Sequence, residues 1–484
     1  MTNTAETSTG SADARSRLPA VSALLEEADV RAMIRLHSRP LVLVAIQQVL
    51  VRLRSNLDPH GQVPGLPEIL GAIRLQVQEE QRDRLRRVIN ATGIILHTGL
   101  GRAVLPKRAA EALGTLDGCC NLQIDLETGL RGKRNHMCER LLTLLTGAEA
   151  AMIVNNNAAA TFLILAALCQ GREVIVSRGQ LIEIGGSYRL PDCVKQSGAA
   201  LVEVGTTNKT HRRDYEAAIG PDTAAVMRVN PSNYRIVGFT EEVPIEDLVK
   251  LKEKHALLVL DDLGCGALID LRGYGLPHEP TVQESLAAGA DLVCFSGDKL
   301  IGGPQSGIIV GRKDLIQKIK KHPLTRILRV GKLTGMALEQ ALRLFLDPDA
   351  LPQTHPTLRM LTADAAAIEK RALAIQGQLQ QAGCGLRVEV VAGESAVGGG
   401  SLPAVPIATR LLAVRSPLCP PDRLLDLLRR NEPPVIGRIR DDDVLLDVRT
   451  LLEGEDEQLT RALLNIAALN DATAAGGPAR KGRE

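Results

Sequence analysis

The chain has 484 residues, 45% hydrophobic and 2% aromatic, and 58 Lys+Arg against 56 Asp+Glu leave a formal charge of +2. That composition excludes wholesale disorder, a uniformly basic binding protein and a nucleic-acid site built on aromatic stacking. The length predicts roughly two to four folded units. Nine cysteines without a CxxC pair, with Cys119 and Cys120 adjacent, support neither a disulfide framework nor a thiolate zinc or redox site. The opening MTNTAETSTGSADARSR lacks the apolar run of a secretory signal, and no uninterrupted apolar segment is long enough to span a membrane. A reducing cytoplasm is the expected location.

Residues 1–17 are small and polar, an expected disordered tail. Apolar positions at helical spacing then predict a small helical domain over 18–85, with Pro40 opening a new helix and HGQVPGLPEI interrupting before another. Residues 1–87 hold twelve Arg and no Lys, and Arg82, Arg84, Arg86 and Arg87 cluster at their end. Such a cluster suits paired phosphate contacts and equally suits a solvated helix face. Over 86–350, short apolar strands (AMIV, REVIV, ALVEVG, AAVMRVN, ALLVLDDLG, LVCFSG, SGIIVG) alternate with helical stretches. The pattern predicts an α/β domain with a mainly parallel sheet, whose ligands gather beyond the carboxyl ends of the strands. TRILRVGKLTGMALEQALRLFL is expected as one long connector helix. A smaller C-terminal α+β domain over 351–475 and a disordered tail over 476–484 complete the expected plan.

The chemistry concentrates in LVCFSGDKLIGGPQSGIIVG, residues 292–311. An apolar strand runs into Ser296-Gly297-Asp298-Lys299, so Lys299 stands at a strand end among small residues. There an amine can reach a carbonyl cofactor such as pyridoxal phosphate and form a Schiff base; a solvated turn lysine is the plain alternative. VLDDLGCG, residues 259–266, supplies a strand-end carboxylate to charge the pyridine nitrogen. Alternation sends Asp261 and Asp262 to opposite faces, and Asp262, next to the LGCG turn, is preferred. VNNNAAATFLI offers a phosphate cradle at a helix amino end, with Asn155 and Asn156 as side-chain contacts, although helix capping explains the same amides. Asp298 is expected to orient Lys299 or aid proton movement.

Other polar residues admit two readings. INATGIILHTGLGRAVLP sets His97 and Arg102 among glycines; His97 is a fold-boundary or a catalytic residue, and Arg102 is placed to bind an anion. Arg131, Lys133 and Arg134 form a basic cluster, and Arg326 and Arg329 are expected on one face of the connector helix. These arginines point to a second anion site beside the cofactor, or to a surface salt network. The histidines compose no metal motif, and neither a dinucleotide fingerprint nor a P-loop is present.

Taken in order, LPAV, INATGIILHTGLGRA, NLQIDLETGLRGKR, NNNAAA, SRGQLIEIGGSYRLPD, EVGTTNKT, VLDDLGCG, FSGDKLIGGPQSG, TRILRVGK and VGGGSLP make the sequence resemble the bacterial L-seryl-tRNA(Sec) selenium transferases, or selenocysteine synthases, over roughly residues 18–475. The resemblance implies a pyridoxal-phosphate enzyme of fold-type I whose front domain recognises the selenocysteine tRNA. Lys299 matches the lysine that carries the cofactor, Asp262 the pyridine partner, and Asp298 the carboxylate beside that lysine. Arg102, Arg326 and Arg329 match basic residues that receive selenophosphate. The implied reaction turns L-seryl-tRNA(Sec) into L-selenocysteinyl-tRNA(Sec) through an aminoacrylyl-tRNA intermediate. The implied assembly is a homodecamer of dimers with active sites at dimer interfaces. Gly99 stands where the family commonly has Asn, and Cys265 where Ser is common. The competing readings are a pyridoxal-phosphate lyase or aldolase acting on a phosphorylated sugar acid, and a non-enzymatic RNA-binding scaffold.

Overall fold

A computed structural model describes residues 17–57, 62–132 and 136–475. Both expected tails, apart from Arg17, and also Lys133 and Arg134 lie outside the described residues. The chain divides into two compact units, one up to Arg87 and one from Val88 onward.

The first unit is helical: α1 (Val21–Glu26), α2 (Ala28–Leu36), α3 (Arg39–Asn56) and α4 (Leu66–Gln81). Pro40 sits in the first turn of α3, where its missing N–H would have had no helical acceptor. At the start of α4 the Glu68 carboxylate accepts the Gly65 N–H at 2.9 Å. Val42, Ile46, Val49 and Leu50 of α3 recur at helical spacing and bury against Ile69, Ile73 and Val77 of α4, with Val30 and Met33 closing the core.

The second unit is built on seven strands: β1 (Ala150–Val154), β2 (Glu173–Ser177), β3 (Ala200–Val204), β4 (Thr223–Val229), β5 (Leu258–Gly264), β6 (Leu292–Ser296) and β7 (Gly307–Gly311). Their order is β1-β7-β6-β5-β4-β2-β3. Every pairing is parallel except those of β7, which runs antiparallel to both β1 and β6. Alternation along each strand feeds two cores. Ile153, Val226, Val259, Val293 and Ile308 pack on one face, and Met152, Met227, Leu260, Cys294 and Ile309 on the other. Helix α5 (Asn157–Leu168) follows β1 and covers the second face.

A four-stranded antiparallel sheet forms the C-terminal layer: β8 (Arg387–Ala396), β9 (Pro406–Arg415), β10 (Arg438–Arg440) and β11 (Asp443–Asp447), in the order β8-β9-β11-β10. Leu412, Val414, Val444 and Leu446 pack there against Ile368, Ile375, Leu424, Leu428, Leu459 and Leu463 from three helices. The stretch after Val88 joins this distant layer, since Ile89–Asn90 pairs in parallel with Val435–Ile436. No local pattern announces that pairing.

The expected single connector helix is broken. A short helix Leu324–Ile327 ends at Leu328, and α6 (Lys332–Leu344) starts afresh after Gly331, whose extended backbone sets a new helix start. Apolar periodicity continues across residues 324–344, but the polar backbone of Leu328 is spent elsewhere: its carbonyl accepts the Asn155 N–H at 3.0 Å. Among the described residues no helix is long and apolar enough to cross a membrane.

One buried residue yields a stability prediction. His355 is fully buried, its Nε2–H donates to the Ile301 carbonyl at 3.0 Å, and its Nδ1 accepts the Leu358 N–H at 3.2 Å. The ring is therefore neutral, and burial pushes its pKa down from 6.5 to about 4. Protonation would set a second N–H against that of Leu358. Because the folded value lies below the unfolded one, this contribution is complete above pH 6.5 and is lost as the pH falls through 4; it amounts to roughly 3 kcal/mol. Thermal unfolding between those limits should show the native protein losing stability more steeply than His355→Asn. Parallel curves would refute the assignment.

Candidate active site

The carboxyl ends of β1, β4, β5 and β6 and the start of β7 lie along one edge of the sheet, and a cavity of about 490 Å³ opens there. At Gly307 an added Cβ would come within 2.1 Å of the Asn156 carbonyl, so only glycine lets β7 begin beside the turn into α5.

Lys299 enters the cavity from the turn after β6. Gly297 N–H donates to the Ser306 carbonyl and Gly303 N–H to the Gly297 carbonyl, each at 2.8 Å, folding the chain back tightly behind the lysine. The side chain is buried, with Nζ 3.5 Å from the Gly400 carbonyl. Burial holds the amine below the ordinary lysine pKa; Arg102 pushes the same way, while Asp262 and Asp298 oppose it. A neutral, nucleophilic amine is thereby made more accessible near neutral pH.

Asp262 faces the same cavity from β5. Its carboxylate accepts Asn157 Nδ2–H at 2.7 Å, Thr161 Oγ1–H at 2.8 Å and the Gly264 N–H at 3.0 Å. Burial pushes its pKa up, and those hydrogen bonds pull against the rise. Asp261 points to the other face, where it is buried in a two-pronged pair with Arg228 at 2.8 and 2.6 Å.

The asparagine turn divides its labour differently from the expectation. Asn156 borders the cavity, but its side chain caps α5 by accepting the Ala159 N–H at 2.8 Å. Asn155 is exposed and does not line the cavity. The amide that meets the buried carboxylate is Asn157, helped by Thr161. Their spacing of four residues on one helix face was a legible signal that sequence reasoning passed over.

Arg102 lies in the cavity wall of the same chain, and its Nη1 sits 2.7 Å from Asp298 Oδ2. Its φ of 62° after Gly101 at 92° marks a tight left-handed turn. Arg326 and Arg329 are exposed and line no part of this cavity. With Asn155 tied to Leu328, they lie together beside the end of β1. Arg131 is exposed, and His97 stands at the edge of the site with a buried Nδ1 that has no partner. Cys265 is no nucleophile: burial pushes its thiol well above the ordinary value, and Sγ–H donates to Glu279 at 2.7 Å. Tyr188, from the short Glu183–Arg189 hairpin, is the one aromatic residue lining the cavity, and burial keeps its phenol protonated.

A larger groove of about 1270 Å³ crosses the C-terminal sheet and touches the Lys299 cavity only through Ser232, Asn233, Gly399 and Gly400. It holds neither a lysine nor a buried strand-end carboxylate, so size does not mark the reaction site. The smaller cavity fits pyridoxal 5′-phosphate. Lys299 would supply an amine, Asp262 a carboxylate for the ring nitrogen, and the amino end of α5 N–H groups for the phosphate. Asn157 Oδ1, buried without a partner, marks polar capacity the protein leaves unused there.

The sequence pattern of the L-seryl-tRNA selenium transferases matches residues 88–452. An L-seryl-tRNA(Sec) selenium transferase of Moorella thermoacetica is 48% identical over 451 residues, 93% of this chain and 96% of that protein. One from Geobacter sulfurreducens is 45% identical over 460 residues, 94% of this chain and 99% of that protein. The solved structure of a D-glucosaminate-6-phosphate ammonia-lyase, 22% identical, gives a TM-score of 0.54 and covers 85% of this chain and 100% of that one, which is a likeness of fold. The architecture is that of the α/β pyridoxal-phosphate enzymes of fold-type I, and the chain belongs to the L-seryl-tRNA selenium transferase family.

Proposed function

We propose that this chain converts L-seryl-tRNA(Sec) and selenophosphate to L-selenocysteinyl-tRNA(Sec) and phosphate, with pyridoxal 5′-phosphate as cofactor. What carries the reading is the meeting of Lys299 and Asp262 in one cavity of a chain whose relatives bear that activity in their names over nearly its whole length. The bound cofactor supplies an electron sink for an amino acid attached to it. Lys299 takes the α-proton of the seryl group at Nζ and delivers a proton to the departing β-hydroxyl, which leaves as water. Asp262, held by Asn157 and Thr161, keeps a proton on the ring nitrogen. Arg102, oriented by Asp298, pairs with the selenophosphate dianion. The selenium–phosphorus bond breaks as the selenium–carbon bond forms, and the phosphoryl group leaves with water as phosphate.

Arg326, Arg329 and Asn155, exposed beside the end of β1, serve the cavity of a partner subunit in this proposal. They imply a dimer as the working unit of a homodecamer in the cytoplasm. The helical unit up to Arg87 recognises the tRNA. It holds no aromatic residue, so contact runs through phosphate and shape, although Arg82 and Arg84 already pair with Glu79 and Glu80. A lyase or aldolase for a phosphorylated sugar acid would leave that unit without a role, and an RNA-binding scaffold would leave the buried Lys299 and Asp262 without one.

Purified protein given seryl-tRNA(Sec) and selenophosphate should form selenocysteinyl-tRNA, and serylated ordinary tRNA should give none. Removal of residues up to Arg87 should abolish use of the tRNA while the visible absorbance of the lysine-linked cofactor persists. Undiminished conversion by the truncated protein would overturn the role of that unit.

A further inference from the structure

Glu279 is a buried carboxylate, 5% exposed, and among the described residues no lysine, arginine or histidine pairs with it. Its oxygens are satisfied by three donors from three places. Oε1 accepts from Cys265 Sγ at 2.7 Å and from Asn230 Nδ2 at 3.2 Å, and Oε2 accepts the Leu402 N–H at 3.3 Å. Asn230 directly follows β4, Cys265 turns the chain after β5, and Leu402 belongs to the glycine-rich loop after β8. A carboxylate only accepts hydrogen bonds, so it can gather three donors that an amide would partly repel.

The loop needs such a tie. Gly398, Gly399 and Gly400 have φ values of 73°, 60° and 75°, and Leu402 and Ala404 follow at 45° and 57°. Two side-chain-bearing residues in the left-handed region are strained, and they persist only where the surroundings hold them. The same loop presents the Gly400 carbonyl to Lys299 Nζ at 3.5 Å. A Cβ at residue 400 would itself lie 3.2 Å from that nitrogen, so the backbone closes directly over the amine.

We propose that Glu279 is a positioning residue: its carboxylate clamps the 398–404 loop over the active site and so sets the Gly400 carbonyl against Lys299 Nζ. The proposal rests on Lys299 being the reacting amine. The Cys265 thiol then acts as one of the donors to the clamp, which accounts for a thiol that is buried and held protonated.

The holoenzyme tests this by amide hydrogen exchange of residues 398–404 and by the pH titration of its visible absorbance. Glu279→Gln should speed exchange of the loop by at least about tenfold, corresponding to a loop released from one hydrogen-bonded tie. It should also move the titration midpoint to higher pH, because water admitted to Nζ favours its charged form. Cys265→Ser keeps a donor on Glu279 and should match the native protein in both. Cys265→Ala should shift both in the direction of Glu279→Gln by less. Native exchange and midpoint in Glu279→Gln would overturn the clamp. If that variant does not fold, indistinguishable Cys265→Ala and Cys265→Ser would overturn it. Visible absorbance that survives in Lys299→Ala would instead refute the reading of Lys299 and leave the exchange result standing.

Discussion

Lys299→Ala is expected to lower seryl-tRNA(Sec) conversion by at least about a thousandfold, within the roughly 10²–10⁴-fold that a positioned acid–base group contributes, since it also removes the anchoring amine. Arg102 is the one other cationic side chain lining the cavity, and a guanidinium cannot give up a proton near neutral pH. Lys299→Arg should therefore fail as well, although it restores the charge. The folded protein should survive both changes, because the amine makes a single long hydrogen bond, to Gly400. Three measurements decide the matter: conversion rate, visible absorbance with cofactor, and thermal unfolding. Turnover and absorbance equal to the native protein in Lys299→Ala would remove the lysine from the mechanism.

The adjacent aspartates should respond in opposite ways. Asp262→Asn loses the charge that faces the ring nitrogen and turns an amide N–H₂ toward Asn157, Thr161 or the Gly264 N–H. Conversion should fall by about two to three orders of magnitude, as when one preorganised electrostatic contact is removed, and stability by about 1–3 kcal/mol for the buried donor left unpaired. Asp261→Asn leaves Arg228, whose side chain is 15% exposed, without its counter-charge. Breaking a buried pair from one side costs about 3–5 kcal/mol. That variant should unfold at a clearly lower temperature and keep its conversion rate per folded molecule. An Asp261→Asn protein that is stable but inactive would reverse the two roles.

These expectations show how far local pattern reaches. Strand alternation is a property of the extended backbone, so a sequence with two consecutive aspartates states that they take different faces. A strand running into Gly-Asp-Lys states that the lysine stands at its carboxyl end. The helix spacing of Asn157 and Thr161 was equally local, yet runs of identical asparagines hide which one turns inward. The direction follows only once Asn156 is committed to capping α5. Apolar periodicity passes unbroken through residues 324–344, yet the helix breaks there because the Leu328 carbonyl is used by another segment. Arg326 and Arg329 consequently lie outside the cavity that Arg102 enters.

By itself the sequence determined the element types, the helical front unit against the strand-and-helix remainder, and the placement of Lys299 and Asp262 at strand ends, because each depends on periods of two or 3.6 residues. Only the tertiary structure decided that β6 lies beside β5, that β7 turns back between β1 and β6, and that residues 89–90 join a sheet completed more than 300 residues later. It also decided that Gly400 meets Lys299 and that Glu279 ties their surroundings together. Those contacts join segments far apart in the chain. They are selected by which surfaces pack together and by which buried polar groups find partners, and neither leaves a period in the sequence.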